Sequence, residues 1–187
     1  MKLLFRLRAT GTEHLPREGG YVLSPNHVSN LDPWPLGLPL FPKRQIRFMA
    51  KAELFKSPLW PILKFGGAFP VRRGEGDTVA IETAIRLARE GEVVAIFPEG
   101  TRRTKGLVKK HQARAHTGAA RVAMEAGVPL IPAAIAGTDR ISRLGPLRVA
   151  YGAPVELDDL HNRDPREAAQ IGTDRLMAAI AELEKTL

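Results

Sequence analysis

A histidine and an aspartate five positions apart are the residues of this chain best suited to acid–base chemistry. His27 can take up a proton near neutral pH, and a carboxylate such as Asp32, bonded to its other ring nitrogen, can fix its tautomer and orientation. Helical neighbours are three or four residues apart, so this spacing requires a turn to bring the two side chains together. Asp32 followed by Pro33 also fits a helix N-cap, an interpretation that needs no chemistry.

Two further polar clusters follow predicted strands, at residues 66–73 and 97–103. Arginine suits bidentate contact with phosphate, and glycine lets the backbone approach a ligand closely. Glu99 stands between an apolar strand and a glycine turn, where a carboxylate could hold the neighbouring arginines or accept a hydrogen bond from a substrate hydroxyl. Each cluster taken alone fits an ordinary turn better than a functional site.

The elements that must position these clusters alternate between strand and helix. Strands are predicted at residues 3–9, 21–24, 46–50, 68–71, 92–97, 130–135 and 147–151. Helices are predicted at residues 31–41, 58–65, 77–90, 118–125 and 165–183. This alternation predicts an α/β fold, a single domain over residues 1–187 with a largely parallel central sheet flanked by helices. In such sheets sites gather beyond the carboxyl ends of the strands, where all three clusters fall.

Length and composition limit the kinds of protein that this chain can be. The chain has 187 residues, of which 44% are hydrophobic, enough for a real core. It has no cysteine, which excludes disulfides and a cysteine nucleophile and fits a cytoplasmic location. Charge interrupts the first six residues too early for a signal peptide, and no apolar run reaches the roughly 20 residues of a membrane span. We therefore expect no integral membrane segment.

The net charge of +8 is unevenly distributed. From Ala153 onward eight acidic residues face four basic ones, whereas residues 40–73 hold eight basic residues and the single acid Glu53. Large apolar residues are interleaved with those basic ones, which favours peripheral contact with an anionic membrane. A plain core with a solvated basic rim is the alternative. Nucleic acid is the least favoured partner, because no nucleic-acid-binding motif is present.

The other histidines and the tryptophans carry weaker signals. His111 and His116 have no carboxylates nearby, so we predict no metal site and interpret this stretch as a solvated basic loop. Lys105, close by, is a candidate contact for a phosphate group. Trp34 and Trp60 fit either core positions or interfacial anchors.

Taken together and in order, four sequence blocks resemble those of the glycerolipid acyltransferases, most closely the bacterial 1-acylglycerol-3-phosphate O-acyltransferases. The blocks are Asn26-His27-x-Ser29-x-x-Asp32, Gly66-x-x-Phe69-x-x-Arg72, Phe97-Pro98-Glu99-Gly100-Thr101-Arg102 and Val128-Pro129-Leu130-Ile131-Pro132. The resemblance spans about residues 11–154. Four ordered blocks are specific for the family and much less specific for the substrate.

The resemblance implies an acyl transfer without an enzyme nucleophile. His27 is expected to act as general base on the free hydroxyl of a lysophospholipid, which then attacks an acyl thioester, and Asp32 to orient the imidazole. Backbone N–H groups at the start of the helix after Asp32 or in the Gly100 turn are candidate oxyanion donors. The residues expected to bind the glycerol phosphate are Arg72, Glu99, Gly100, Thr101, Arg102 and Lys105. No cofactor or metal is expected.

The resemblance leaves the partners open. The acyl donor is either an acyl carrier protein thioester or a coenzyme A thioester, and no nucleic acid is expected. About 25 residues precede His27, where many family members carry hydrophobic anchoring helices, so attachment to the inner face of the cell membrane is expected to depend on residues 40–73. The alternatives are an acyltransferase for another lysolipid or a soluble acceptor, and a non-catalytic lipid-binding protein on the same scaffold.

Overall fold

The computed structural model describes residues 6–58, 60–71, 78–100, 104–105, 108–109, 115–143 and 145–187. Its strands are β1 (Arg8–Thr10), β2 (Tyr21–Pro25), β3 (Ile46–Lys51), β4 (Ala68–Val71), β5 (Val93–Ala95), β6 (Thr104–Lys105), β7 (Val108–Lys109), β8 (Leu130–Ala136) and β9 (Arg148–Tyr151). Its α-helices are α1 (Pro33–Gly37), α2 (Trp60–Phe65), α3 (Thr78–Arg89), α4 (Gly118–Ala126) and α5 (Pro165–Glu184). Short 3₁₀ helices cover Thr12–His14, Ala52–Lys56, Thr138–Arg143 and Asp158–Leu160. None of the helices in these ranges combines the length and apolar character needed to cross a membrane.

Within the described ranges, seven strands form one sheet in the order β1-β9-β8-β2-β5-β3-β4. Neighbouring strands are parallel throughout, except that β8 and β9 run antiparallel. β6 and β7 form a separate antiparallel pair. The predicted α/β class with a largely parallel sheet is confirmed. The carboxyl ends of β2, β3, β4, β5 and β8 consequently meet at one edge.

Alternating side chains of the central strands fill two cores. Val22 faces the core formed with α3, α4 and α5, whereas its neighbour Leu23 faces the opposite core, as the two-residue period of a strand requires. Leu36 of α1 belongs to that second core, and the Tyr151 hydroxyl donates a hydrogen bond to its carbonyl oxygen at 2.6 Å. Burial raises the pKa of Tyr151, so the phenol remains a donor that fixes α1 on the sheet.

Three predicted elements are shorter in the structure. The helix predicted at residues 31–41 extends only over Pro33–Gly37, because Pro39 and Pro42 lack the N–H groups that a longer helix needs. Of the strand predicted at residues 3–9, the described part contains only Arg8–Thr10, which pairs with β9 alone at the sheet edge. The strand predicted at residues 92–97 spans Val93–Ala95, after which the chain turns toward the site.

Candidate active site

The turn after β2 brings His27 and Asp32 into direct contact. The His27 Nδ1 atom lies 2.8 Å from Asp32 Oδ2. The Asp32 carboxylate is fully buried, while the His27 side chain is 17% exposed and so accessible to a substrate. Because a carboxylate oxygen only accepts, Nδ1 carries the hydrogen of the neutral ring and Nε2 keeps a free lone pair. An imidazole held in this tautomer is suited to take a proton at Nε2.

The Asp32 carboxylate is held by more than the histidine. Its Oδ2 atom also accepts hydrogen bonds from the backbone N–H groups of Val28 and Ser29, at 2.7 and 2.9 Å. Its Oδ1 atom accepts from the Thr138 hydroxyl at 2.6 Å. Four donors around one buried carboxylate satisfy its lone pairs and fix its position.

Asp32 does occupy the N-cap position of α1, but its side chain makes no capping hydrogen bond. The carboxylate faces back into the preceding turn, so the capping interpretation is correct for the position and wrong for the side chain. The turn itself is what joins residues five apart in sequence.

Thr138 is a residue of the site that the sequence reasoning missed. It is buried, and it directly follows Gly137, the first residue after β8, which has a φ of +94°. A Cβ atom at Gly137 would lie 2.5 Å from the carbonyl oxygen of Pro146, so only glycine fits this approach. The sequence does show Thr138 as a polar residue just after a predicted buried strand. Thr138 belongs to the site only because β8 lies beside β2, a pairing that the sequence pattern does not specify.

Asn26 fastens the end of β2 to its surroundings. Its amide exchanges hydrogen bonds with both the backbone N–H and the carbonyl oxygen of Ile135, and it also donates to Glu184 of α5 at 2.7 Å. On the other side of the strand, the Ser24 hydroxyl donates to the Ile96 carbonyl oxygen at 2.8 Å. These contacts fix the strand end from which His27 extends.

The third sequence block lies beside the first. The Phe97 ring stands 4.3 Å from the His27 ring, centroid to centroid, with a tilt of 36°. Glu99, which follows it, is buried, as its place after an apolar strand predicts. Gly100 has a φ of +62°, and a Cβ atom there would lie 2.5 Å from the ring of His116. The exposed His116 therefore packs against the glycine turn, which the interpretation as a simple solvated loop did not anticipate.

Several residues that the sequence singled out lie outside the described part of the chain. These are Arg72, Thr101, Arg102, His111 and the side chain of Lys105. Trp34 and Trp60 are 44% and 47% exposed, which excludes core positions for both. Over the described part of the chain, no group of three or more His, Asp or Glu residues is arranged to hold a metal ion.

The expected oxyanion donors were N–H groups at the start of α1 and in the Gly100 turn. In α1, Pro33 and Pro35 have no N–H group, and the N–H of Trp34 donates to the Leu31 carbonyl oxygen at 3.1 Å. The Gly100 N–H donates to the Phe97 carbonyl oxygen at 3.1 Å. Thr101 and Arg102, which follow Gly100, lie outside the described residues, so the Gly100 turn stays a prediction.

Comparison with known proteins shows what this chain is similar to. The model of the family described as Acyltransferase matches residues 6–136. A Bacillus subtilis protein named 1-acyl-sn-glycerol-3-phosphate acyltransferase is 34% identical, over 94% of this chain and 86% of its own. A Borreliella burgdorferi protein of the same name is 27% identical, over 72% of this chain and 52% of its own.

A solved structure resembles the fold. The crystal structure of the 1-acyl-sn-glycerophosphate acyltransferase PlsC from Thermotoga maritima matches with a TM-score of 0.67. The match covers 96% of this chain and 71% of the other, at 23% sequence identity. At that identity the likeness supports the architecture alone.

Proposed function

The chain belongs to the acyltransferase family, and on that premise we propose that it transfers an acyl chain from an acyl thioester to the free hydroxyl of 1-acylglycerol-3-phosphate, giving phosphatidic acid. The observation that carries this proposal is the 2.8 Å contact between His27 and a fully buried Asp32. The name of the Bacillus subtilis relative supports the choice of acceptor.

His27 acts as the general base in the proposed reaction. Its Nε2 atom takes the proton of the acceptor hydroxyl while the hydroxyl oxygen attacks the thioester carbonyl carbon. The tetrahedral intermediate then expels the thiolate, which takes up the proton from the imidazolium as the C–S bond breaks. Asp32 holds the ring and stabilises its charged form. Because the hydroxyl is itself the nucleophile, the reaction forms no acyl-enzyme and uses no resident cofactor or metal.

The acceptor phosphate is bound on the side of the third block. We assign this role to Arg72, Glu99, Gly100, Thr101, Arg102 and Lys105, of which Glu99 and Gly100 belong to the turn beside His27. The position of the turn supports the assignment, since Phe97 lies 4.3 Å from the His27 ring and Glu99 and Gly100 follow it closely in the chain. The arginines supply bidentate donors for phosphate oxygens.

The reaction brings together two substrates and a membrane. The donor is a thioester of acyl carrier protein or coenzyme A, and the acceptor is a lysophospholipid. We propose that residues 1–187 act as one acyltransferase domain in the cytoplasm, attached peripherally to the inner face of the cell membrane, without a role for nucleic acid. The cluster of basic residues between positions 40 and 73 supports that location.

A panel of assays tests the activity. Purified protein is given acyl carrier protein or coenzyme A thioesters, each combined with lysophosphatidate, another lysophospholipid or glycerol 3-phosphate. Free thiol and acylated product are measured together. We expect equal amounts of thiol and phosphatidic acid with lysophosphatidate. Thiol release that does not depend on an acceptor, or no transfer with any pair, contradicts the proposal.

Arg72→Ala tests the phosphate-binding role. Losing a contact made equally in the ground state and the transition state raises the Michaelis constant for lysophosphatidate and leaves kcat nearly unchanged. We expect a rise of about tenfold to 100-fold, in line with one charge-assisted contact. Arg166→Ala, on the exposed start of α5, is the matched control. An unchanged Michaelis constant removes Arg72 from the site.

A further inference from the structure

The segment between β3 and β4 exposes several of its large apolar side chains. Among the described residues of the 3₁₀ helix Ala52–Lys56 and of α2, none is fully buried, and Phe55 and Leu63 are half-buried. Within α2, Trp60 is 47% exposed, Ile62 52% and Phe65 78%. A helix normally buries one apolar face, so these three side chains have no covering partner within the part of the chain that the structure describes.

The uncovered surface extends to the residues next to the candidate active site. Phe65 lines a groove whose other walls include Trp34 and Phe41, and both of these side chains are also partly exposed. Ile62 precedes Phe65 by three positions and so lies on the same side of α2. Trp60, two positions before Ile62, is exposed on another side of the same short helix. We call these exposed apolar residues of the groove and of α2 together, Trp34, Phe41, Trp60, Ile62 and Phe65, the apolar face.

Exposed lysines lie close in sequence to the residues of the apolar face. Lys43, Lys56 and Lys64 are exposed, and the one acidic residue between positions 40 and 71 is Glu53. The Lys64 ammonium lies 5.9 Å from the centroid of the Trp60 ring. Tryptophan beside lysine, on a surface of large apolar side chains, is the pairing found where proteins meet the headgroup region of a bilayer.

We propose that the apolar face docks the protein on an anionic phospholipid bilayer. The aromatic and aliphatic side chains enter the boundary between headgroups and acyl chains, while the lysines contact the lipid phosphates. The benefit to catalysis rests on the proposed function. Trp34 is two residues from Asp32, so docking on this face brings the base next to the surface in which a lysophospholipid acceptor resides.

Tryptophan fluorescence gives a direct measurement of docking. The chain has two tryptophans, Trp34 and Trp60, and both belong to the apolar face, so no label is needed. The full chain is titrated with vesicles of phosphatidylcholine alone or mixed with phosphatidylglycerol, with and without brominated acyl chains. We expect a blue shift and bromine quenching with the anionic vesicles, weakened by salt.

Two double variants separate the apolar and the electrostatic contributions. Ile62→Ala with Phe65→Ala should lower the vesicle partition coefficient about tenfold or more, because buried apolar area drives insertion. Lys56→Gln with Lys64→Gln should lower it about 20-fold on anionic vesicles and leave it unchanged on neutral ones. The controls are Val79→Ala, an exposed apolar residue of α3, and Arg166→Gln on α5, neither of which should change partitioning.

Several outcomes overturn the inference. Wild-type protein that binds neither vesicle, or double variants that partition as tightly as wild type, remove the membrane from the apolar face. Variants that keep vesicle binding but lose binding to acyl carrier protein show that the face serves the acyl donor instead.

Transfer to a short-chain, water-soluble lysophosphatidate should be the same in wild type and in the Ile62→Ala, Phe65→Ala variant. If neither transfers, the proposed function fails while the vesicle titration still decides the docking surface.

Discussion

The turn after β2 and the segment after β3 both leave carboxyl ends of parallel strands in one sheet, yet they are held in opposite ways. The turn carries a buried carboxylate that accepts from His27, Val28, Ser29 and Thr138. In the segment at residues 52–65, no described residue is fully buried, and Trp60, Ile62 and Phe65 are exposed. The first arrangement fixes atoms relative to one another, as catalysis requires, and the second leaves side chains free for a surface outside the protein.

Of all the changes proposed, removal of the base in the turn after β2 should lower activity most. His27→Ala deletes the group that takes the proton, and we expect acyl transfer to fall by about 10³-fold or more with the fold intact. Activity is followed by thiol release, and folding by circular dichroism. His14→Ala, at an exposed histidine, should leave transfer unchanged. Turnover of His27→Ala near the wild-type rate would sink the assignment.

Thr138→Val should have a smaller effect, which reaches the base through Asp32. The variant leaves a buried carboxylate oxygen without its donor, so we expect a loss of about 1–3 kcal/mol in the free energy of unfolding and a fall in kcat of about tenfold. Without this donor the carboxylate is held less firmly and orients the imidazole less well, so the loss should fall on kcat. The Michaelis constant for lysophosphatidate should stay within about twofold of the wild-type value, because Thr138 is buried and acts through Asp32.

Two further variants separate this positioning role from a merely structural one. Thr138→Ser keeps the hydroxyl and should restore both kcat and stability. Thr173→Val removes another buried hydroxyl, which donates to the Ala169 carbonyl oxygen at 2.7 Å inside α5. It should lower stability but leave kcat unchanged. A Thr138→Val variant with the wild-type kcat assigns Thr138 to stability alone.

Local features explain how much of the site could be predicted from sequence. The contact between His27 and Asp32 depends on one short turn, so it is encoded locally. The spacing alone also fitted a helix cap, and it was the three later sequence blocks that favoured the catalytic interpretation. The central elements were predictable for a similar reason, because apolar periodicity over several residues is a strong signal. Helix α1 was predicted too long where prolines 39 and 42 interrupt it, although their effect can be read from the chain.

The parts that could not be predicted depend on distant neighbours. Thr138 reaches Asp32 across 106 positions, and the contact exists only because β8 is paired with β2. Strand order is set by the packing of whole elements, which no local pattern encodes. The exposure of Trp60 is a case of the same kind, because apolar composition alone does not distinguish a core helix from one that lies uncovered.

The smallest expected effect is on stability, and it tests the segment after β3. Ile62→Ala with Phe65→Ala shortens two side chains that are 52% and 78% exposed. We therefore expect the free energy of unfolding in urea to change by less than about 1 kcal/mol. Leu36→Ala, at a fully buried side chain, should cost about 2–5 kcal/mol in the same measurement. A loss above about 1 kcal/mol for the double variant would mean that the folded protein covers these side chains itself. The apolar face would then belong to the core, and the contrast between the two segments would fail.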